Sequence, residues 1–310
     1  GTALFTKLYG QFYDQNNQPT GPTIVLPQEG IASPNYAGSD AQGNHYLVYI
    51  SDQRRITLAQ VRDDPPRMIY SRQVTTSSAI LYLRPTAAIH SDKIYLTATK
   101  AQAGTNNKLV LFVLNLDGSI ARSEQQIVIP GQGSADSITD AILAKDQTGS
   151  LYVFYRMQVS SNSNAYILKL DRASGAVQWN TLVDTAIASI DALLIDDTQN
   201  KVFLAWTVTE RINNQDTTNI FLRHADTQTG QPTTPRVRIT NSEWYHARPD
   251  LMLSDEGLDI FYEGGRSGNA GYDIYDNHLS SSGPITRAVI TGAGDSPLEH
   301  AVTKQGSKIH

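Results

Sequence analysis

The chain has 310 residues and a formal net charge of -5, and 40% of its residues are hydrophobic against 18% charged, as in ordinary globular proteins. Lysine and arginine form no cluster, which disfavours a nucleic-acid partner, and no apolar run reaches the roughly 18 residues of a membrane helix. The absence of cysteine excludes a disulfide framework, a thiolate nucleophile and a cysteine-bound metal.

Short strands separated by polar turns are predicted along the whole chain. Apolar and aromatic residues alternate at a spacing of two, as in half-buried strands, and helical periodicity is nearly absent. The clearest runs follow a polar turn directly: they span 45–49, 93–97, 150–155, 201–206 and 258–262, and a sixth begins at 308.

Two classes of turn alternate along the chain. The first class directly precedes these runs and comprises DAQGN, HSDK, KDQTGS, DDTQNK, SDEG and TKQGS. The second class falls later in each unit and comprises DQNNQPTG, RDDPPR, NLDGS, DRASGA, DTQTGQP and LSSSGP. Six turns of each class, in a repeat of about 50 residues, are typical of propeller blades with four short strands.

The sequence therefore predicts an all-β, six-bladed β-propeller of four-stranded antiparallel blades, forming a single domain over residues 1–310. The predicted blades span approximately 33–75, 85–129, 138–183, 190–240 and 248–291, and the sixth joins 299–310 to 1–26. Pairing the N- and C-terminal strands in one blade would close the ring and remove two free sheet edges. Five or seven blades, a β-sandwich and two unrelated β domains are the alternatives.

Three stretches carry a resemblance to known propeller families. The fifth unit resembles the TolB-type propeller repeat through Pro249, Asp255, Gly257, Ile260, Phe261, Arg266, Gly268, Asn269, Ile274 and Tyr275. The N-terminal segment is similar to blade repeats of large bacterial surface proteins through Gln11, Phe12, Asp14 and Gly21, with Asn17 in place of the middle glycine. Residues 83–85, Leu-Arg-Pro, resemble an element of six-bladed sialidases, but the turn box of that family is absent. These resemblances imply a bacterial propeller that is secreted, periplasmic or on the cell surface, and they carry no activity.

The loops around a propeller's central channel usually bind its ligands, and one cluster of residues at predicted loop positions has suitable chemistry. This cluster comprises Trp244, Tyr245, His246, Arg248, Glu263 and Arg266. Aromatic rings stack on sugars, an arginine fork binds carboxylates, and a histidine beside a carboxylate can transfer protons. Alternatively, Trp244 and Tyr245 cover the core between blades, and the two arginines pair with Glu263.

Four residues are candidates for catalysis, namely Asp140, Asp191, His246 and Glu299. The three carboxylates begin three different inner strands, and two of them about 5–10 Å apart would suit acid–base chemistry on a glycosidic bond. Alternatively, these acids bond to backbone N–H groups at strand starts or are solvated. Arg84 and Arg156 either bind an anionic ligand or pair with a neighbouring acid.

No metal ion or cofactor is predicted. The acidic turns at 14–17, 63–64 and 196–197 do not fit the calcium-loop pattern, and the histidines lack the spacing of zinc ligands. Turn chemistry explains these acids better, because aspartate and asparagine side chains bond to their own turn backbone.

The sequence favours a binding module, with a role in adhesion, that recognises a glycan or a protein surface through its loops. One alternative is a carbohydrate-active enzyme, either a glycoside hydrolase or a polysaccharide lyase, with its site at the channel mouth. The other alternative is a structural domain of a larger surface protein.

Overall fold

The regular structure of this chain consists of β-strands throughout the part that the computed structural model describes. The described residues are 9–10, 18–19, 21–26, 34–51, 54–76, 80–102, 104–240, 245–254, 257–265, 273–280, 283–289, 304–305 and 308–309. No helix among them is long and apolar enough to cross a membrane. The chain divides into two compact units, unit 1 (Gly1–Val153 and Leu170–Gln178) and unit 2 (Phe154–Lys169 and Trp179–His310).

In chain order the strands are β1 (Tyr9–Gly10), β2 (Ile24–Val25), β3 (Asn35–Ser39), β4 (Asn44–Ile50), β5 (Ile56–Asp63), β6 (Pro66–Gln73), β7 (Leu81–His90), β8 (Lys93–Ala101), β9 (Lys108–Asn115), β10 (Ile120–Gln126), β11 (Ser137–Lys145), β12 (Leu151–Val159), β13 (Asn162–Leu170), β14 (Val177–Asp184), β15 (Ser189–Asp196), β16 (Lys201–Ile212), β17 (Gln215–Asp226), β18 (Val237–Arg238), β19 (Tyr245–Ser254), β20 (Gly257–Gly265), β21 (Asp273–Ser280), β22 (Gly283–Val289), β23 (Lys304–Gln305) and β24 (Lys308–Ile309).

Five four-stranded antiparallel sheets contain twenty of these strands, and within each sheet consecutive strands are neighbours. We call them blade 1 (β3–β6), blade 2 (β7–β10), blade 3 (β11–β14), blade 4 (β15–β18) and blade 5 (β19–β22). Each blade is a plain up-and-down meander, so every strand pairs with the one that precedes or follows it in the chain.

The prediction of six blades is wrong, because the described part of the chain forms five. The residues assigned to a sixth blade, closed by N- and C-terminal strands, instead contribute two separate two-stranded sheets, β1–β2 and β23–β24, in the described part of the chain. The physical reason is that a turn motif needs only two flanking residues on each side to close a hairpin. A blade needs four paired strands, and among the described residues each end of the chain pairs only two strands of two residues each.

Burial explains the order of strands within a blade. In blade 2, the second and third strands (β8 and β9) each contain six successive buried residues, so both of their faces are covered. The fourth strands β6 and β10 have no buried residue and carry charged side chains such as Arg67 and Arg122. Charge on an edge strand discourages pairing with another chain, so β6 and β10 suit the edge positions that they hold in blades 1 and 2.

Apolar clusters join neighbouring blades within each unit. In unit 1, residues of blades 1 and 2 form one cluster that includes Tyr46, Leu58, Leu96 and Phe112. In unit 2, a cluster that includes Ala205, Leu222, Ile260 and Tyr262 joins blades 4 and 5. Burying such side chains stabilises each by about 1.5–3 kcal/mol, so the cores rather than the turns hold the blades together.

An aspartate organises the first hairpin turn of blades 1 and 3 in the same way. One oxygen of Asp40 accepts the backbone N–H of Asn44, and the other accepts the hydroxyl of Tyr46. In blade 3, Asp146 accepts the N–H of Ser150 and the hydroxyl of Tyr152. Because these bonds favour the charged carboxylate, the pKa values of Asp40 and Asp146 lie below the ordinary value despite the opposing effect of burial.

Candidate functional site

The first two strands of blade 5 bring four of the predicted site residues together. Tyr245, His246 and Arg248 lie on β19, and Glu263 lies on the neighbouring strand β20. The other predicted members of this cluster, Trp244 and Arg266, and the catalytic candidate Glu299 lie outside the described residues.

Strand register decides which of these side chains share a face. Tyr245 lies opposite Gly265, and Ala247 lies opposite Glu263, so these four residues face the same side of the sheet. Gly265 and Ala247, the register partners of Tyr245 and Glu263, are both small residues. Tyr245 is 39% exposed at this face, which leaves its ring accessible to a ligand.

Arg248 and Glu263 form an ion pair on this part of blade 5. Nη1 of Arg248 donates to both carboxylate oxygens of Glu263, at 3.3 and 3.5 Å. The Glu263 side chain is 5% exposed and the Arg248 side chain 51% exposed, so the guanidinium lies between the buried acid and solvent. The sequence offers two interpretations of the arginines, ligand binding or pairing with Glu263. Arg248 forms the pair with Glu263. A guanidinium has five N–H donors, so one such pair leaves others that suit ligand oxygens.

A β-bulge positions Arg248. The pairing of β19 with β20 shifts between Ala247 and Asp250, so Arg248 and Pro249 together face one residue of β20. Arg248 has a backbone φ of 53°, in the left-handed region that few residues other than glycine adopt. The bulge turns the arginine side chain toward Glu263, on the same face as Tyr245.

His246 lies on the opposite face of β19 and is buried. Its ring packs edge-on against Tyr262 at 5.5 Å and Tyr275 at 6.5 Å between ring centres. Those two tyrosines stack on each other at 5.3 Å. Gly264 lies opposite His246 in the sheet, and a Cβ atom there would come within 2.8 Å of the histidine Nδ1. The glycine thus makes room for the ring.

Burial lowers the pKa of His246 to about 4, so the ring is neutral at neutral pH. His246 is 5% exposed, so its ring does not face solvent. The ring packs against the two tyrosines on the face of β19 opposite Tyr245. Its backbone is also fixed, because Thr218 Oγ1 donates to the His246 carbonyl at 2.6 Å. This geometry suits a supporting residue better than an acid–base catalyst, which must reach the substrate.

Arg84 and Asp140 form the second ion pair among the predicted site residues. The guanidinium of Arg84 donates to the Asp140 carboxylate, and the side-chain exposures are 63% and 2%. The prediction's alternative, in which Arg84 pairs with a neighbouring acid, therefore describes this arginine. The Asp140 carboxylate is therefore buried and bonded to a cation.

Asp191 and Arg156 make contacts within unit 2. Both oxygens of Asp191 lie 2.9 Å from the hydroxyl of Ser189, which can donate to either of them. Arg156 donates to the backbone carbonyl of Ala188. Each of these contacts lies at or next to the start of blade 4.

The acidic turn at 196–197 follows turn chemistry. In the turn at 63–64, Asp63 Oδ2 lies 3.8 Å from His45 Nε2, and the turn at 14–17 lies outside the described residues. Asp196 accepts the backbone N–H groups of Thr198 and Gln199, and Asp226 does the same for Gln228 and Thr229. In the described ranges, no three histidine, aspartate or glutamate side chains are grouped as metal ligands would be.

Sequence reasoning missed the second layer of the blade 5 cluster, namely Tyr262, Tyr275 and Gly264. The alternating run of β20 places Tyr262 two residues from Gly264, so the signal for a shared face was present. Tyr275 joins this layer because it lies opposite Tyr262, and that pairing can be known only from the register of β20 against β21.

Comparison with known proteins shows the fold and no family. No protein-family model matches the chain, and no curated protein sequence matches it. The resemblance to TolB-type and surface-protein repeats therefore gains support for the propeller fold alone.

Solved structures resemble the chain at low sequence identity. An ulvan lyase, described as a new family of polysaccharide lyase, has a TM-score of 0.63 at 12% identity, covering 87% of this chain and 75% of its own. An α-L-arabinofuranosidase from Lactobacillus brevis has a TM-score of 0.52 at 12% identity, covering 81% and 92%. The Dos1 propeller has a TM-score of 0.53 at 13% identity, covering 94% and 68%. At these identities the likeness shows a β-propeller fold and does not extend to activity.

Proposed function

We propose that the protein is a glycan-binding module whose ligand contacts the Tyr245, Arg248 and Glu263 face of blade 5. The observation that carries this proposal is the half-exposed Arg248, held at 3.3 Å by a buried Glu263 and on the same face as the exposed ring of Tyr245. An aromatic ring stacks on the C–H face of a sugar, while an arginine–carboxylate pair offers both donors and acceptors to its hydroxyl groups.

A binding role suits this site better than catalysis. Asp140 is bonded to Arg84, and His246 is buried beneath its own strand, so neither is open to a substrate. Several neighbours in fold are carbohydrate-active enzymes by name, which supports a carbohydrate ligand. Because such polysaccharides lie outside the cytoplasm, we extend the proposal to a secreted, periplasmic or cell-surface location.

A glycan array followed by calorimetric titration of the best ligand tests the proposal. Tyr245→Ala should weaken binding by about tenfold, since stacking on one aromatic ring contributes roughly 1–3 kcal/mol. Tyr36→Ala is the matched control, because Tyr36 is an exposed tyrosine (54%) in blade 1. It should leave the affinity unchanged.

Four outcomes would contradict the proposal. The first is the absence of any retained glycan on the array. The second is an equal loss of affinity in the control variant Tyr36→Ala. The third is turnover of a polysaccharide by the intact chain, which would favour the enzyme alternative. The fourth is capture of a defined protein in place of a glycan, which would mean that the same face binds a protein and not a carbohydrate.

A further inference from the structure

A polar pocket opens at one end of blade 2, in unit 1. It encloses about 250 Å³ between the β8–β9 loop and strand β10. The polar side chains that line it are Lys100, Gln102, Thr105, Asn106, Lys108, Glu124 and Gln126. It shares no residue with the blade 5 cluster, so an inference about it does not depend on the proposed function.

Two lysines face each other across the strands of this pocket. Lys100 on β8 is the direct register partner of Lys108 on β9. Side chains of directly opposed residues lie on the same face, about 4.5–5.5 Å apart at Cβ, and like charges in that position are destabilising. A sheet that retains such a pair carries an unfavourable interaction that an anion would relieve.

One of the two positive charges is balanced within the protein. The ammonium group of Lys100 donates to Glu124, and the hydroxyl of the buried Tyr82 also donates to that carboxylate. Lys108 has no ion-pair partner among the described residues. The lining therefore carries one unbalanced positive charge, located at Lys108.

The neutral side chains around Lys108 suit hydroxyl groups. Gln126 lies beside Val110 on the same face as the lysines, and Val110 forms a fully buried floor. The Asn106 amide group donates to the Ser134 carbonyl, which fixes this side chain and leaves its oxygen as an acceptor. Glu124 adds carboxylate oxygens, which accept hydrogen bonds from hydroxyls and repel a second negative charge.

From this arrangement we propose that the blade 2 pocket binds a single sugar acid, with its carboxylate on Lys108 and its hydroxyls on Gln126, Asn106 and Glu124. A neutral sugar has no charged group to pair with Lys108. A phosphate dianion would be repelled by the Glu124 carboxylate. The volume is below the roughly 300–1,000 Å³ of pockets for drug-sized ligands, which fits one ring. The sugar acid is either a free uronate or the terminal residue of an acidic polysaccharide.

Calorimetric titration of the intact chain tests this proposal with four probes: D-galacturonate, D-galactose, inorganic phosphate and a galacturonate tetramer. We expect galacturonate to bind at least about tenfold more tightly than galactose or phosphate, since a hydrogen bond to a charged group contributes about 1.5–3 kcal/mol. Tighter binding of the tetramer would identify the end of a polysaccharide as the source of the ligand. Equal or weaker binding of the tetramer would identify a free uronate.

A charge-matched pair of variants separates the pocket from general electrostatics. Lys108→Gln should weaken galacturonate binding by about tenfold or more and abolish the preference over galactose. Lys93→Gln removes the same charge from the far end of the same hairpin, beside Asp92, and should leave the affinity unchanged. Because Lys108→Gln also removes the like-charge contact with Lys100, its thermal midpoint should be no lower than that of the wild type.

Several results would overturn the proposal. One is the absence of galacturonate and tetramer binding at about 10 mM ligand, which corresponds to a negligible affinity. Another is binding of galactose or phosphate as tight as that of galacturonate. A third is an equal loss of affinity in Lys93→Gln, which would mean that net charge and not Lys108 attracts the anion.

Discussion

Arg84 and Arg248 occupy the same position in two different blades. Each is the first residue of a two-residue bulge in the first strand, and each is followed by proline. Their backbone φ angles are 44° and 53°, and each guanidinium contacts a buried carboxylate, Asp140 or Glu263. The left-handed conformation costs a non-glycine residue roughly 1–2 kcal/mol, so the two ion pairs offset a local backbone strain.

Removing the guanidinium of Arg84 should destabilise the fold. Arg84→Ala leaves the Asp140 carboxylate, whose side chain is 2% exposed, without its cation, and we expect a loss of about 1–3 kcal/mol in urea unfolding. Arg84→Gly removes the same group but relieves the left-handed backbone, so it should be about 1 kcal/mol more stable than Arg84→Ala. Arg67→Ala, on the exposed edge strand β6, is the control, and a similar loss there would contradict this account.

Acid should destabilise the protein through His246. Burial lowers the folded-state pKa from 6.5 to about 4, so the unfolded chain takes up a proton at a higher pH than the folded chain does. The resulting stability is fully present above pH 6.5 and is lost as the pH falls toward 4. Between pH 7 and 4.5, wild type should lose about 2 kcal/mol more than His246→Gln in urea unfolding. The same pH dependence in both proteins would show that His246 is not held neutral.

The carboxylate of Asp146 should stabilise blade 3 more than either of its individual partners does. Asp146→Ala removes bonds to Ser150 N–H at 2.8 Å and to the Tyr152 hydroxyl at 3.1 Å, and we expect a loss of about 1–3 kcal/mol. Tyr152→Phe removes one neutral donor and should cost about 1 kcal/mol. Asp216→Ala, at the exposed start of β17 in blade 4, should change the free energy of unfolding by less than about 0.5 kcal/mol. Chemical denaturation of the three variants compares them directly.

The repeated blade was predictable because turn chemistry and alternation are local properties of the sequence. Asp146, Asp171 and Asp226 all bond to turn backbone in the structure, as their positions between apolar runs indicate. The number of blades was not predictable in the same way. The sequence near Lys304–Gln305 has the turn residues and flanking strands of a hairpin, which are local features. Membership of a blade depends on long-range pairing between strands.

The same distinction applies to the sites. The pairing of Arg248 with Glu263 was foreseen as an alternative, since both residues lie close to one hairpin. The opposition of Lys100 and Lys108 was missed because it requires the register of β8 against β9 across an irregular loop. Glu124, which pairs with Lys100, lies where the pairing of β10 with β9 is shifted, and a bulge of this kind leaves no clear signal in one sequence.

The Asp40 and Asp146 turns also constrain how their hairpins form. Each carboxylate contacts the turn backbone through one oxygen and a tyrosine six residues further along the chain through the other. A slip of one residue would move that tyrosine to the opposite face of the sheet, beyond the reach of the carboxylate. A misregistered hairpin therefore loses the bond to the turn backbone and the bond to the tyrosine together. The aspartate thus favours the correct register of the two strands.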